Sequence, residues 1–219
     1  MNSELKNISI IISSADHPIN IWIDSWLREQ SDDLNIEIIR SPVEAKGGDI
    51  CFLVSCIDIL PIAVRELYSS VLVIHASDLP EGRGWSPHIW HIIGGGEKIT
   101  VSLIEASDKV DRGDIWKKYH YNIPDYFLYD DIISIVNQAH VDLMDYAINN
   151  YDIVRPTPQS LKIKPTYFQK RTALDSEISP FKTIEEQFDN IRVCDSNRFP
   201  SFFHLRGKKF KIKVERYDD

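Results

Sequence analysis

Short apolar runs alternate with amphipathic segments over the first 75 residues, a pattern that predicts strands alternating with helices. The predicted strands comprise residues 8–12, 35–40, 49–55 and 70–74. Between the first two, apolar residues recur at helical spacing from Ile19 to Leu27, just after a proline that suits a first helical turn. A second, short helix is predicted over residues 59–67. Such alternation is typical of a parallel sheet with helices on both faces.

The remainder of the chain continues this pattern and then departs from it. A short helix is predicted over 88–93, a strand over 99–104 and a long amphipathic helix over 126–151. Prolines at 156, 158 and 165 then indicate an extended connector. A short helix over 184–192 and a hairpin complete the predicted elements, with hairpin strands at 202–205 and 209–215.

These elements predict an α/β fold with a Rossmann-like, mostly parallel twisted sheet and helices on both faces, followed by a small C-terminal β-hairpin appendage. We divide the chain into a catalytic α/β domain over residues 1–155 and a C-terminal extension over residues 156–219, because the composition changes at the proline-rich connector. The apolar face of the hairpin predicts a homodimer contact.

Charge and cysteine content narrow the classes of function. The net charge of -8 repels phosphate backbones, so nucleic acid is a poor candidate partner. The three cysteines fit no zinc-binding spacing, and no His, Cys and Asp set predicts a metal site. No apolar run approaches the roughly 20 residues that cross a bilayer, and the N-terminus lacks a signal-peptide layout. We therefore predict a cytoplasmic protein that does not associate with membranes.

Four lysines in the predicted hairpin have two interpretations, either a phosphate site or the solvated face of an edge strand. In the segment KFKIKVE, lysines alternate with Phe210, Ile212 and Val214, so one face of the strand is apolar and the other is charged. Lysines on an edge strand also oppose aggregation. The pattern therefore favours the solvated face.

Candidate chemistry lies in two polar loops that follow predicted strands. His75 comes directly after the strand at 70–74, and Asp111 lies in the loop after the strand at 99–104. Ligands of open α/β sheets gather at the carboxyl ends of the strands. The sequence therefore predicts a site that includes these loops.

The same loops resemble those of a known enzyme family. The run HASDLP at 75–80, Arg83-Gly84, Pro87 and the run VDRGDI at 110–115 are similar to the signature of the folate-dependent formyltransferases. The stretch KRT at 170–172, with Asp175 and Ile178, resembles the branch that acts on nucleotide-linked amino sugars. The two halves together, at this separation, are more specific than either alone.

The resemblance implies roles for the residues of both loops. His75 would stabilise the oxyanion and Asp111 would accept the proton of the attacking amine, with N10-formyltetrahydrofolate as co-substrate. Family position implies one wall of a pterin pocket from Cys56, Ile57 and Leu60, and the other from Ala106, Asp108 and Val110.

Four further residues are candidates for substrate binding, namely Ser77, Arg83, Trp85 and His88. Arg83 either binds a phosphate or carboxylate or braces its own loop, and the sequence favours neither. Trp85 could stack on a ligand. The family usually has asparagine two residues before the catalytic histidine, where this chain has Val73, which cannot hydrogen-bond a formyl oxygen. Ser77 and His88 are the nearest replacements.

The resemblance implies an N-formyltransferase that acts on a nucleotide-linked amino sugar. The run HASDLPEGRGWSP resembles a branch associated with UDP-linked 4-amino-4,6-dideoxy sugars, as in pseudaminic-acid-type pathways and surface polysaccharide biosynthesis. The alternatives are a purine-pathway or other small-amine transformylase, and a catalytically decayed module that binds folate or a sugar nucleotide, with Val73 as the mark of decay.

Overall fold

A six-stranded sheet forms the centre of the protein, which a computed structural model describes over residues 6–217. The strands are β1 (Lys6–Ile11), β2 (Leu34–Ile39), β3 (Gly48–Leu53), β4 (Tyr68–His75), β5 (Arg83–Gly84), β6 (Lys98–Glu105), β7 (Ile115–Asn122), β8 (Tyr167–Phe168), β9 (Phe202–Leu205) and β10 (Lys208–Lys211). The central sheet has the order β2-β1-β3-β4-β6-β7. Its first four strands are parallel, whereas β6 and β7 run antiparallel to their neighbours. The predicted α/β class with a mostly parallel sheet is confirmed.

The helices cover this sheet at nearly all of the predicted positions. They are α1 (Ile19–Leu27), α2 (Ile62–Arg65), α3 (Pro87–Ile93), α4 (Tyr129–Asn150) and α5 (Phe188–Arg192), with 3-10 turns at Pro42–Glu44, Ala173–Ser176 and Glu185–Gln187. Helix α2 is shorter than the predicted 59–67. Pro61 precedes it with an extended ψ of 149°, and a proline disfavours helical backbone in the residue before it. Among the described residues, none of the helices combines the length and apolarity needed to cross a membrane.

Alternate residues of the central strands supply two separate apolar cores. Ile10, Phe52 and Leu72 belong to the larger core, which also contains apolar residues of α1, α3 and α4. Their chain neighbours Ile11 and Leu53 belong to a smaller core that includes Leu60. Because side chains alternate across a strand, these cores lie on opposite faces of the sheet. Each fully buried aliphatic side chain contributes about 1.5–3 kcal/mol.

The C-terminal extension packs on the α/β core and ends in the predicted hairpin. Val193 is a member of the larger core, and the Arg192 guanidinium donates hydrogen bonds to the carbonyls of Pro124 and Phe127. Strands β9 and β10 form an antiparallel pair, so the hairpin is confirmed, although its second strand ends at Lys211. The sequence did not predict β7, nor the two-residue parallel pair of β5 with β8.

Candidate active site

His75 and Asp111 meet at the carboxyl end of β4. His75 is the last residue of that strand, and Asp111 lies in the loop between β6 and β7. The Nδ1 atom of His75 lies 3.5 Å from Oδ1 of Asp111, and each residue is only 9% exposed. The other ring nitrogen, Nε2, lies 2.9 Å from the carbonyl oxygen of Gly82. The structure thus brings together the imidazole and the carboxylate, and they form an ion pair when the imidazole is protonated.

Asp111 is held in a backbone conformation that it would not adopt freely. Its φ is +55°, in the left-handed region that costs a non-glycine residue about 1–2 kcal/mol. The Gly84 amide donates a hydrogen bond to Oδ2 of Asp111 at 2.8 Å. The Gln159 side-chain amide donates to the carbonyls of Asp111, at 2.9 Å, and Gly113, at 3.0 Å. Gly84 therefore holds the carboxylate of Asp111, and Gln159 holds the turn that carries it.

Gly113 allows this loop to approach β6. A Cβ at position 113 would overlap the carbonyl oxygen of Glu105, the last residue of that strand. Because only glycine avoids this overlap, the D-x-G spacing around Asp111 has a physical basis in this fold.

The loop after His75 is attached to the C-terminal connector. The Gly82 amide donates to the Thr166 hydroxyl at 2.8 Å, and the Arg83 amide donates to the Thr166 carbonyl at 2.9 Å. The Trp85 amide donates to the carbonyl of Phe168 at 3.1 Å. These bonds surround the pair formed by β5 and β8, so residues beyond 155 shape the site directly.

Arg83 is directed into this framework. It is 6% exposed, and its guanidinium donates to the side-chain oxygen (Oε1) of Gln159 at 2.5 Å and to the Tyr167 hydroxyl at 3.1 Å. No carboxylate lies within ion-pair distance of Arg83 in the described part of the chain. The contacts favour the bracing role over the ligand-binding role that the sequence left open.

Tyr167 accepts hydrogen bonds from two guanidinium groups. Arg83 and, at 2.8 Å, Arg112 both donate to its hydroxyl oxygen. These donors hold the pKa of Tyr167 below its usual value, with Arg83 the larger cause, because they stabilise the phenolate form.

Two candidate substrate-binding residues near His75 have unpaired polar atoms. The Ser77 amide donates to the His75 carbonyl at 2.9 Å, but the Ser77 hydroxyl has no hydrogen-bond partner among residues 6–217. The same is true of Nδ1 of His88. Burial, with smaller effects from neighbouring His140 and His75, lowers the pKa of His88 to about 3. His88 is therefore a neutral imidazole near pH 7.

Trp85, the fourth of these candidates, lies at the edge of the site. It is 41% exposed, and the Lys170 ammonium lies 4.8 Å from its ring centroid. One aromatic face is thus covered by a cation, an arrangement of the cation–π type.

The two predicted walls of the pterin pocket meet beside the smaller core. Leu60 is buried in that core, and Cys56, Ala106 and Val73 pack against it. Arg65 joins the walls, since it donates to the carboxylate of Asp108 and, at 3.5 Å, to the carbonyl of Ala106.

The outer parts of these walls are apolar and open to solvent. Ile57 is 63% exposed and Val110 is 54% exposed. Burial raises the pKa of the Cys56 thiol, so this residue is an apolar wall component and not a thiolate. Apolar, solvent-accessible side chains of this kind suit a flat heteroaromatic ligand.

Several residues of the site were not identified from the sequence. Gln159 and Tyr167 lie in the proline-rich connector, where no motif marks them. His140 had a detectable signal, because it is a polar residue on the apolar face of α4. Its Nδ1 donates to the Val136 carbonyl at 2.7 Å, and burial lowers its pKa to about 4. No cluster of metal-ligating side chains is present in the portion of the chain that the structure describes.

Comparison with curated proteins finds methionyl-tRNA formyltransferases. The chain is 28% identical over 204 residues to the enzyme of Rickettsia typhi. The match covers 92% of this chain and 64% of the relative, so the chain spans about two thirds of the length of that enzyme.

Comparison with solved structures finds the same fold in several groups of proteins, among them two kinds of formyltransferase. A methionyl-tRNA formyltransferase from Clostridium thermocellum superposes with a TM-score of 0.81 at 24% identity, covering 98% of this chain and 94% of that one. A 4-N formyltransferase from Francisella tularensis superposes with a TM-score of 0.77 at 16% identity, covering 99% and 100%. At these identities the likeness establishes the fold alone.

A family model provides the assignment. The formyl transferase model matches residues 12–139, more than half of the chain, and this range includes both His75 and Asp111. The protein therefore belongs to the formyl transferase family.

Proposed function

We propose that this protein transfers the formyl group of N10-formyltetrahydrofolate to the amine of a nucleotide-linked amino sugar. The observation that carries the proposal is the buried pair of His75 and Asp111, whose side chains lie 3.5 Å apart at the carboxyl end of β4. Such a pair supplies the two groups that the reaction requires, a donor for the oxyanion and an acceptor for the amine proton.

The chemistry follows from these two groups. The neutral amine attacks the formyl carbon. The His75 imidazole donates a hydrogen bond from Nε2 to the oxygen on which negative charge develops, and this bond replaces the contact of Nε2 with the Gly82 carbonyl. Asp111 accepts the proton that the amine nitrogen loses, directly or through a water molecule. The bond between the formyl carbon and N10 then breaks, N10 takes up a proton, and the products are the N-formyl amine and tetrahydrofolate.

We assign the role of the missing asparagine to Ser77 and His88. Val73 carries no donor, whereas the Ser77 hydroxyl and Nδ1 of His88 are both buried without a partner among the described residues. A buried polar group without a partner costs about 1–3 kcal/mol. A substrate oxygen or amine that met these groups would remove that cost.

The apolar walls favour folate as the formyl donor. The walls contain Cys56, Ile57 and Leu60 on one side and Ala106, Asp108 and Val110 on the other. Exposed Ile57 and Val110 provide apolar area for the pterin ring. We further propose that residues 1–155 carry the catalytic groups and that residues 156–219 support them.

Two observations favour an amino sugar as the acceptor. The net charge of -8 opposes the binding of a nucleic acid. The KRT stretch at 170–172 resembles that of the sugar enzymes. A UDP-linked 4-amino-4,6-dideoxy sugar is our first candidate.

A second candidate acceptor is methionyl-tRNA, because the curated relative from Rickettsia typhi bears that activity in its name.

An assay of tetrahydrofolate release distinguishes the candidate acceptors. Purified protein and 10-formyltetrahydrofolate are incubated with UDP- and dTDP-linked amino sugars, glycinamide ribonucleotide or methionyl-tRNA. Turnover with a sugar nucleotide supports the proposal, whereas turnover only with one of the other amines replaces it. Binding without turnover of any amine would identify a decayed module.

Substitutions test the two catalytic assignments. We expect His75→Ala and Asp111→Asn each to lower kcat by about 100-fold or more, the usual loss when an acid–base group is removed. Asparagine tolerates a left-handed backbone, so Asp111→Asn removes charge without forcing the turn to change. Asp114→Asn is the matched control, since Asp114 lies in the same loop and its side chain has no hydrogen bond among the described residues. Unchanged rates in both site variants would refute the assignment.

A further inference from the structure

We propose that Gln159 is a positioning residue, which aims the carboxylate of Asp111 at His75 by fixing the turn that carries it. The inference rests on the proposed function, because it assigns Gln159 an effect on catalysis through Asp111. In the described structure, the side chain of Gln159 makes no hydrogen bond to the ring of His75 or to the carboxylate of Asp111, so its effect on them is indirect.

The side chain of Gln159 uses both of its polar ends. Its amide nitrogen donates both protons, to the carbonyls of Asp111 and Gly113 at 2.9 and 3.0 Å. Its amide oxygen accepts a hydrogen bond from the Arg83 guanidinium at 2.5 Å. Gln159 is 9% exposed, so these three bonds are shielded from water. A buried amide bonded at both ends is a rigid spacer between the loop that follows His75 and the loop that contains Asp111.

The backbone places this side chain beside the Asp111 loop. Thr157 and Ile115 exchange two backbone hydrogen bonds at 2.7 and 2.9 Å, which attaches the connector to the start of β7. Gln159 follows two residues later, next to residues 111–113. The connector thus enters the site at a fixed point.

The left-handed turn at Asp111 explains why such a spacer is required. A φ of +55° is less favourable than a negative φ even for aspartate, which adopts it more readily than most residues, so groups that hold the turn stabilise it. Gln159 holds the carbonyls on both sides of Arg112, and so it fixes the peptide groups that define the turn. If the turn relaxes, the Asp111 Cβ changes direction and the 3.5 Å approach to His75 is lost.

The choice of an amide, and not a carboxylate, at position 159 is informative. Glutamate would pair with the Arg83 guanidinium, which has no carboxylate partner in the described structure, and would gain an ion pair. It would, however, have no protons to donate to the two carbonyls. Gln159→Glu therefore keeps the link to Arg83 and breaks the link to Asp111.

Gln187 provides a matched control outside the site. Its side-chain oxygen accepts the Ser179 amide at 2.6 Å, and its nitrogen donates to the carbonyls of Ser179 and Thr183 at 3.0 and 3.1 Å. This pattern matches that of Gln159, because in both residues the amide nitrogen donates to two carbonyls and the amide oxygen accepts one hydrogen bond. Gln187→Glu therefore makes the same chemical change where no catalytic group is affected.

Steady-state kinetics test the inference. We expect Gln159→Glu to lower kcat by about 10- to 100-fold, the loss typical of a misplaced catalytic group, while the KM for each substrate changes by less than about 3-fold. Gln187→Glu should leave both constants unchanged. Gln159→Met, which has similar length and adds no charge, should reproduce the loss in kcat if Gln159→Glu folds poorly. A normal kcat in a folded Gln159 variant would overturn the inference.

A double-mutant cycle separates positioning from general support. In the Asp111→Asn background, Gln159→Glu should have no further effect on kcat, because its effect acts through the carboxylate that is already absent. A purely structural role predicts that the two losses multiply. If Asp111→Asn alone has no effect, the proposed catalytic assignment fails instead.

Crystal structures of the wild-type protein and Gln159→Glu give a result that does not depend on turnover. We expect the Asp111 carboxylate to move away from His75 in the variant. An unchanged distance between Nδ1 and Oδ1 would overturn the inference even if no substrate had been found.

Discussion

At the scale of single residues, the polar groups around His75 fall into two kinds. Gln159 is bonded at both ends of its side chain, and Asp111 is bonded through its carboxylate and its carbonyl. The Ser77 hydroxyl and Nδ1 of His88 are buried with no partner in the described structure. Fully paired groups such as Gln159 support the framework, so we expect the unpaired groups to meet the substrate beside the proposed catalytic pair of His75 and Asp111.

His140 makes stability depend on pH. Its pKa is lowered to about 4 by burial, below the value of about 6.5 in an unfolded chain. Between these values the unfolded state binds more protons than the folded state. The contribution of His140 to the free energy of unfolding is therefore complete above about pH 6.5 and decreases as the pH drops towards 4. At about pH 5, we expect protonation of this histidine in the unfolded state to lower the free energy of unfolding by about 2 kcal/mol.

Urea unfolding at about pH 7.5 and pH 5 measures this effect. His140→Gln does not titrate, so its stability should fall by about 2 kcal/mol less than that of the wild type over the same interval. The solvent-exposed His204 has no such burial, and His204→Gln is the matched control. An equal loss in wild type and His140→Gln would contradict the prediction.

The sequence predicted the two side chains that the structure brings together, His75 and Asp111, but not the residues that hold them. His75 and Asp111 stand out because their positions after strands coincide with a two-part motif. Gln159 and Tyr167 act through long-range contacts that exist only after the connector has folded against the loops. No periodicity or local motif encodes such contacts, so only the structure could reveal them.

At the scale of elements, the short pair of β5 and β8 connects the loop that follows His75 to the C-terminal extension. Gly84, with a φ of +95°, lies so close to β8 that a Cβ would overlap the carbonyl oxygen of Phe168. The same residue donates its amide proton to Asp111. The approach of these two strands therefore also determines how the carboxylate is held.

Alanine at position 84 tests this connection, with position 95 as its control. Both glycines have a positive φ, of +95° and +83°, but a Cβ at Gly95 would meet no atom within 4 Å. Gly95→Ala should lower the free energy of unfolding by about 1 kcal/mol, from backbone strain alone. Gly84→Ala should cost more, because β5 and β8 must separate, and it should also lower kcat. Thermal unfolding and turnover are measured for both variants. The prediction would be contradicted if Gly84→Ala and Gly95→Ala had the same stability and the same kcat.

The elements themselves were predicted unevenly, for identifiable reasons. The buried strands β1, β3 and β4 are nearly continuous apolar runs, which are recognisable without a structure. Strand β7 reads IWKKYHYN and lies at the edge of the sheet, so its composition is mixed and it was not predicted. The pair of β5 and β8 has two residues in each strand, too few for any pattern.

At the scale of the whole molecule, the surface combines excess acidic charge with exposed apolar groups on the extension. Phe210 of β10 stacks on Phe203 of β9 with ring centroids 5.4 Å apart, yet it remains 44% exposed. Val214 and Phe199 are also partly exposed. Apolar side chains gathered on one appendage are typical of a contact surface.

We predict that the protein forms a homodimer through the apolar face of the hairpin. Phe210→Glu should convert the dimer to a monomer, because it buries a charge in the contact. Leu161→Glu, in the exposed connector, is the matched control and should leave the dimer intact. Sedimentation velocity measures both. A wild-type protein that is monomeric across the accessible concentrations would refute the prediction.

The attachment of residues 81–85 to residues 159–168 also has a consequence for protein engineering. Substrate preference in chimaeras is commonly altered by grafting one surface loop from a homologue. Here the amides of Gly82, Arg83 and Trp85 all require acceptors that are supplied from beyond residue 165. A graft of the first segment alone would place foreign amide donors against the native connector, so the two stretches are best exchanged together as one cassette.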